Sequence, residues 1–199
     1  MQLRAPAILV SSRPHGETAV IARLFSEEVG IVAAYVAGGR GRQLRPVVIP
    51  GNLVAADIRA KSDSHLPFAR IELLESRGPG LAEPLPSSAI AWVCALTACS
   101  LPERNPYPRL YVALLALLDA ICSAPSARGW AGALATYEIL LLREQGYGGE
   151  RPEIDGLARA LEILDRTTPL IARYLLADTR ADVLAARTLL IQRLNRMTA

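Results

Sequence analysis

Between residues 53 and 75 the side chains alternate with a period of two. In Leu53 to Lys61, Val54, Ala56, Ile58 and Ala60 fall on one face, and Asp57, Arg59 and Lys61 on the other. In Phe68 to Leu74, Ala69, Ile71 and Leu73 oppose Arg70 and Glu72. Such alternation marks half-buried strands. Beyond residue 86 it gives way to Ala/Leu-rich stretches of helical character. Between the two regimes lies Arg77-Gly-Pro-Gly-Leu-Ala-Glu-Pro-Leu-Pro86, which Pro and Gly punctuate. The switch predicts an α+β chain of two domains: a β domain over 1–78, a linker over 79–86 and an all-α helical domain over 87–199.

Further strands read at 6–10, 18–25 and 31–37, and a short run at 47–49 ends in the turn Pro50-Gly51-Asn52. Five short strands with glycine turns predict a small closed β-barrel, of either the OB-fold or the SH3-like kind. Among the helices, Ser87 or Ser88 caps one reaching about Leu101, and a second spans Leu110 to Cys122. Ser126 caps a third to about Gln145, with Trp130, Leu134, Tyr137 and Leu141 on one stripe and Gly146-Tyr-Gly-Gly149 as its stop. Shorter helices follow at 154–166 and 169–176, and Asp178 or Thr179 caps a last one to about Met197. Glu138 sits beside the apolar stripe. A carboxylate there needs a partner, such as a backbone amide or an arginine of the neighbouring domain.

Charge is distributed unevenly. Residues 1–78 hold 10 Lys+Arg against 7 Asp+Glu, whereas residues 79–199 hold 12 of each, so all of the net +3 lies in the first part. Within it, Gly38, Gly39 and Gly41 break the strand of residues 31–37, and Arg40, Arg42 and Arg45 follow with no acidic residue between them. A mobile glycine loop bearing three guanidinium forks suits a phosphate backbone. Arg59 and Lys61 extend the basic surface. Tyr35, just before the loop, either faces outward to stack on a base or caps the barrel. With so few aromatic platforms, backbone charge should dominate and binding should be largely independent of sequence.

Several chemistries lack their residues. No phosphate-binding GxxxxGK[ST] motif, GxSxG elbow or HExxH helix occurs. Cys94, Cys99 and Cys122 are odd in number and not closely paired, and His15 and His65 stand apart, so neither a disulfide framework nor a metal site is expected. These absences predict a non-enzymatic protein without cofactor. The N-terminus lacks the layout of a signal peptide, and the uncharged stretch 84–102 is interrupted by three prolines, so no membrane span is expected and the compartment reads as a reducing cytoplasm.

Ordered short matches then point to a family. Ala7-Ile-Leu-Val-Ser-Ser-Arg13, Gly16-Glu17-Thr18, Gly30, Val36-x-Gly-Gly-Arg-x-Arg42 and Pro50-Gly51-Asn52 resemble the N-terminal domain of the bacterial RecO recombination-mediator proteins. Leu110-Tyr-Val-Ala-Leu-Leu115, Tyr137-Glu-Ile-Leu-Leu-Leu142 and Gly146-Tyr-Gly148 are similar to that family's helical domain. The resemblance implies an N-terminal OB-fold, binding of single- and double-stranded DNA, and strand annealing. It also implies action with RecR and single-strand-binding protein to load RecA. Arg40 and Arg42 match a basic position of the family's loop, which Arg45 extends. An acidic, apolar-tipped peptide such as the C-terminal tail of single-strand-binding protein would dock on the helical domain, with Arg173, Arg180 and Arg187 as candidates. The chain departs from the pattern after Gly148, where many members carry a four-cysteine zinc knuckle. Different readings of the same residues are an OB-fold protein-interaction scaffold, an RNA-binding module and an enzyme of unrecognised type.

Overall fold

The computed structural model describes residues 2–60, 65–149, 152–177 and 182–196. Five strands, β1 (Gln2–His15), β2 (Ala19–Ser26), β3 (Gly30–Val36), β4 (Leu53–Arg59) and β5 (Phe68–Glu75), form a closed barrel in the order β1-β2-β3-β5-β4. Pairing is antiparallel throughout except for the bridge between Tyr35 and Phe68, where β3 and β5 run parallel and close the ring. This is the OB-fold arrangement. The alternation in β4 and β5 has the expected phase as far as Ile71, since Val54, Ala56, Ile58, Ala69 and Ile71 join Leu9, Ala22, Leu24, Val32 and Val36 in the barrel core, but Leu73, expected on the same face, is exposed.

Val47 and Val48 are not strand residues. They lie in a turn, buried against the barrel core with Leu44 beside them. Asn52 holds this turn in place, its side-chain amide donating to the carbonyls of Pro46 (3.0 Å) and Val47 (3.1 Å). Its side-chain oxygen accepts from the backbone N–H of Arg77 at 2.9 Å.

The chain divides into two compact units, one of residues 1–77 with 101–111 and one of residues 78–100 with 112–199. Residues 79–86, expected as a linker, instead carry α1 (Gly78–Leu81) and the start of α2 (Pro84–Ser100). Proline tolerates a helix's first turn, where its missing N–H has no acceptor to serve. Residues 101–111, expected with the helices, belong to the barrel unit. Ile31 bridges Glu103, the backbone N–H of Arg104 donates to the Ile31 carbonyl at 2.8 Å, and Arg23 pairs with Glu103 at 3.3 Å. The outward-facing ring of Phe25 meets Tyr111 edge-on at 5.7 Å. Gly30 makes the close approach possible. It has φ +77°, and a Cβ there would fall 1.9 Å from the Asn105 carbonyl oxygen.

The second unit is helical: α2, α3 from Val112 onward (the helix spans Pro108–Ser123), a 3-10 turn at Ala127–Gly129, α4 (Ala131–Glu144), α5 (Gly156–Leu170), a π-helical turn at Ile171–Leu175, and α6 (Asp182–Asn195). The cap expected from Ser126 makes no side-chain bond, and Ser88 bonds back to the Pro84 carbonyl within α2. The expected caps Asp178 and Thr179 lie outside the described residues. Glu138 is fully buried, and its partners come from its own unit. Trp92 Nε1 donates to it at 2.8 Å, Thr167 Oγ1 at 2.5 Å and Arg187 Nη2 at 2.8 Å. Four helices thus meet on one carboxylate. No described helix is long and apolar enough to cross a membrane.

Candidate nucleic-acid interface

Arg40, Arg42 and Arg45 line one surface depression with Pro46 and Ile49. The loop that carries them is a series of hydrogen-bonded turns, not the mobile break expected from its glycines. Gly41 N–H donates to the Gly38 carbonyl at 2.8 Å and Arg45 N–H to the Gly41 carbonyl at 2.9 Å. Gly39 lies so close to β2 that a Cβ would sit 2.6 Å from Val20 Cγ2. With its apolar residues in the barrel core, the loop presents its arginines outward.

The three arginines differ. Arg40 is pinned to the β1–β2 turn, where its Nη1 donates to the carbonyls of Gly16 (3.3 Å) and Glu17 (3.1 Å) and its backbone N–H to the Thr18 carbonyl at 2.8 Å. Arg42 and Arg45 are exposed, and their guanidinium groups make no hydrogen bond or ion pair with any described residue. Their donors are open to a ligand.

Arg59 stands on a separate patch of the barrel surface. Its Nε and Nη2 grip both oxygens of Asp57, at 3.0 and 2.8 Å, and Arg4 Nε adds a third contact at 3.1 Å. The hydrogen bond from Arg59 holds the Asp57 carboxyl below its ordinary range, and the same contact raises Arg59. Asp57, Arg59, Phe68, Ala69 and Arg70 line a small hollow here. Lys61 lies outside the described residues. Tyr35 is half-buried, with its ring 4.7 Å from that of Phe68 and 5.8 Å from that of His15. Phe68 and His15 were not singled out from the sequence. Yet Phe68 shares the outward phase of Arg70, so the alternation already carried the signal.

Of the residues expected to take a peptide, Arg187 is excluded by its burial against Glu138, and Arg180 lies outside the described residues. Arg173 lies 5.3 Å from the ring centre of Tyr174, which stacks on Tyr147 at 4.6 Å. Beside them is a cavity of about 360 Å³ lined by Ile139, Leu142, Tyr147, Ile163, Arg166 and Leu170, among others. Gly146, at φ +83°, ends α4 and turns Tyr147 onto this cavity. Among the described residues no group of three or more His, Cys, Asp or Glu could hold a metal ion.

An OB-fold barrel with an ordered arginine loop, continued by an all-α unit, defines the class of protein. Comparison with known proteins gives the family. Residues 1–77 match the family model for the N-terminal part of recombination protein O, and residues 83–150 match that for its C-terminal part. The chain is 42% identical over 149 residues to the DNA repair protein RecO of Rhodospirillum centenum, covering 74% of this chain and 58% of that protein. It is 41% identical over 144 residues to the RecO of Rhodospirillum rubrum, covering 71% and 57%. With the RecO of Gluconacetobacter diazotrophicus it shares 34% over 151 residues, covering 74% and 59%. The chain belongs to the recombination protein O family, and the matched part spans under two thirds of these relatives' own length.

Proposed function

We propose that the protein is a non-enzymatic DNA-binding recombination mediator acting in the cytoplasm. It would bind single- and double-stranded DNA through the barrel, anneal complementary strands, and act with RecR to load RecA. The observation that carries this reading is the arginine depression, where an ordered loop offers Arg42 and Arg45 with unengaged guanidinium groups beside Arg40. Guanidinium forks bind phosphate oxygens without reading bases. Neutralising phosphates on two strands lowers their mutual repulsion and lets complementary sequences pair. No covalent step and no nucleotide hydrolysis is involved.

A salt titration of single-strand binding tests this. Each phosphate neutralised contributes about −0.7 to the slope of log K against log salt, so changing both Arg42 and Arg45 to Ala should flatten it by up to about 1.4. An unchanged slope and affinity in the folded double variant would remove the loop from the DNA site. RNA bound more tightly than DNA at equal salt would favour the RNA module instead, and no nucleic-acid binding at all would favour the protein scaffold.

In the helical unit, the cavity beside Tyr147 and Tyr174 is our candidate for the tail of single-strand-binding protein. Apolar walls of Ile139, Leu142 and Ile163 suit an apolar tip, and Arg166 with Arg173 suits acidic residues and a terminal carboxylate. Arg166→Glu should weaken binding of a labelled acidic tail peptide at least tenfold while sparing DNA binding. Unaltered peptide affinity would exclude the cavity.

A further inference from the structure

A single exposed aromatic ring means little on a protein surface. Phe68, 58% exposed, is different because of its neighbours. The barrel register places Arg13 opposite Ile21, Ile21 opposite Tyr35, Tyr35 opposite Phe68, and Phe68 opposite Arg59. Paired residues share one face of a sheet. Their chain neighbours Val20, Val36, Ala69 and Ile58 are in the barrel core, so this transverse row lies on the outside. Adjacent strands are about 4.8 Å apart, which brings each side chain within reach of the next. Two touching aromatic rings therefore have the exposed Arg59 directly on one side and, beyond the buried Ile21, the exposed Arg13 on the other. Among the described residues lining the hollow at Phe68, Arg59 and Arg70 outnumber the carboxylate Asp57, which Arg4 also contacts from outside the hollow, so these residues leave a cationic excess.

We infer that Phe68, braced by Tyr35 tilted 53° against it, forms a stacking platform for an unpaired base of single-stranded DNA, with Arg59 and Arg13 holding the phosphates on either side. The inference rests on the proposed DNA binding and adds a second, uncharged mode to it. Stacking is open to every base, because each has a π face, and closed to a base inside a duplex. The arginine depression is blind to pairing, whereas the platform selects unpaired strands. It would thus direct a protein that binds both kinds of DNA towards the single-stranded part of a gap.

The test compares a fluorescent oligo-dT strand with an abasic phosphodiester strand of equal length and charge, using the full chain. Wild type should prefer oligo-dT by about tenfold, within the range for base–aromatic stacking. The ratio should hold as salt rises from about 50 to 200 mM, because only the charged contacts release counterions. Phe68→Ala should lower oligo-dT affinity to that of the abasic strand while leaving abasic binding unchanged, and Phe68→Trp should keep the preference. Equal binding of both strands by wild type would overturn the platform and leave the arginine depression standing. A parallel loss of both strands in Phe68→Ala would overturn it too, since the residue would then be supporting the fold. Failure to bind either strand would overturn both this inference and the proposed function. An oligo-U strand bound far more tightly than oligo-dT would assign the platform to RNA.

Discussion

At Asp57 one carboxylate restrains Arg59 of the proposed DNA surface and Arg4 beside it. Side chains so exposed contribute little to folding through their ion pairs. In the proposed reading, the carboxylate sets how freely Arg59 reaches a phosphate. Asp57→Asn should leave the thermal midpoint nearly unchanged, raise single-strand affinity several-fold at low salt and steepen the salt slope, as read by anisotropy titration. Weaker binding would mean that Asp57 orients Arg59 for the ligand. The pH dependence has a defined sign. The folded-state pKa lies below the ordinary value of 3.8, chiefly through the hydrogen bond from Arg59. The pair's contribution is present above that value and is lost as pH falls through the folded pKa, in the same range where protonation would free Arg59.

Among the elements, α6 depends on its contact with Glu138. Arg187 enters a buried site with both its Nε and Nη2 on that carboxylate, at 3.2 and 2.8 Å. Removing one partner of a buried pair strands the other charge, which costs about 3–5 kcal/mol. Arg187→Ala should therefore destabilise the helical unit by about that amount in urea, whereas the double change Glu138→Leu with Arg187→Met should recover much of it. If the single variant loses under about 1 kcal/mol, water must reach the pair. The sequence marked Glu138 as needing a partner but looked for it in the neighbouring domain. Arg187 is 49 positions away, and no periodicity links residues at that distance. Barrel strands were legible for the opposite reason, since alternation is local and one slip in phase would expose a core face. Val47 and Val48 read as strand because burial and β-branching are the same signal in a turn that enters the core. The site was legible as a list of arginines. The ordered loop, the pinning of Arg40 and the row through Phe68 were not, because each depends on pairing between distant segments.

Over the whole molecule, the excess of positive charge belongs to residues 1–78, and residues 79–199 are balanced. A field of that kind would draw a polyanion to the barrel in the proposed reading, without any specific contact in the helices. Arg13, Arg42, Arg45, Arg59 and Arg70 are the exposed arginines that the proposed path uses. If each meets one phosphate of a single strand, the total salt slope should be about −3.5. Helical arginines should add nothing to it. Arg159, for example, already pairs with Glu162 at 2.7 Å one turn away. Arg159→Gln should leave slope and affinity where they were, whereas Arg70→Gln should reduce the slope by about 0.7. A total slope much steeper than −3.5, together with a loss on Arg159→Gln, would mean that the strand also runs over the helical unit. The barrel would then be only part of the DNA site, and binding would have to be mapped across both units before any residue is assigned to annealing.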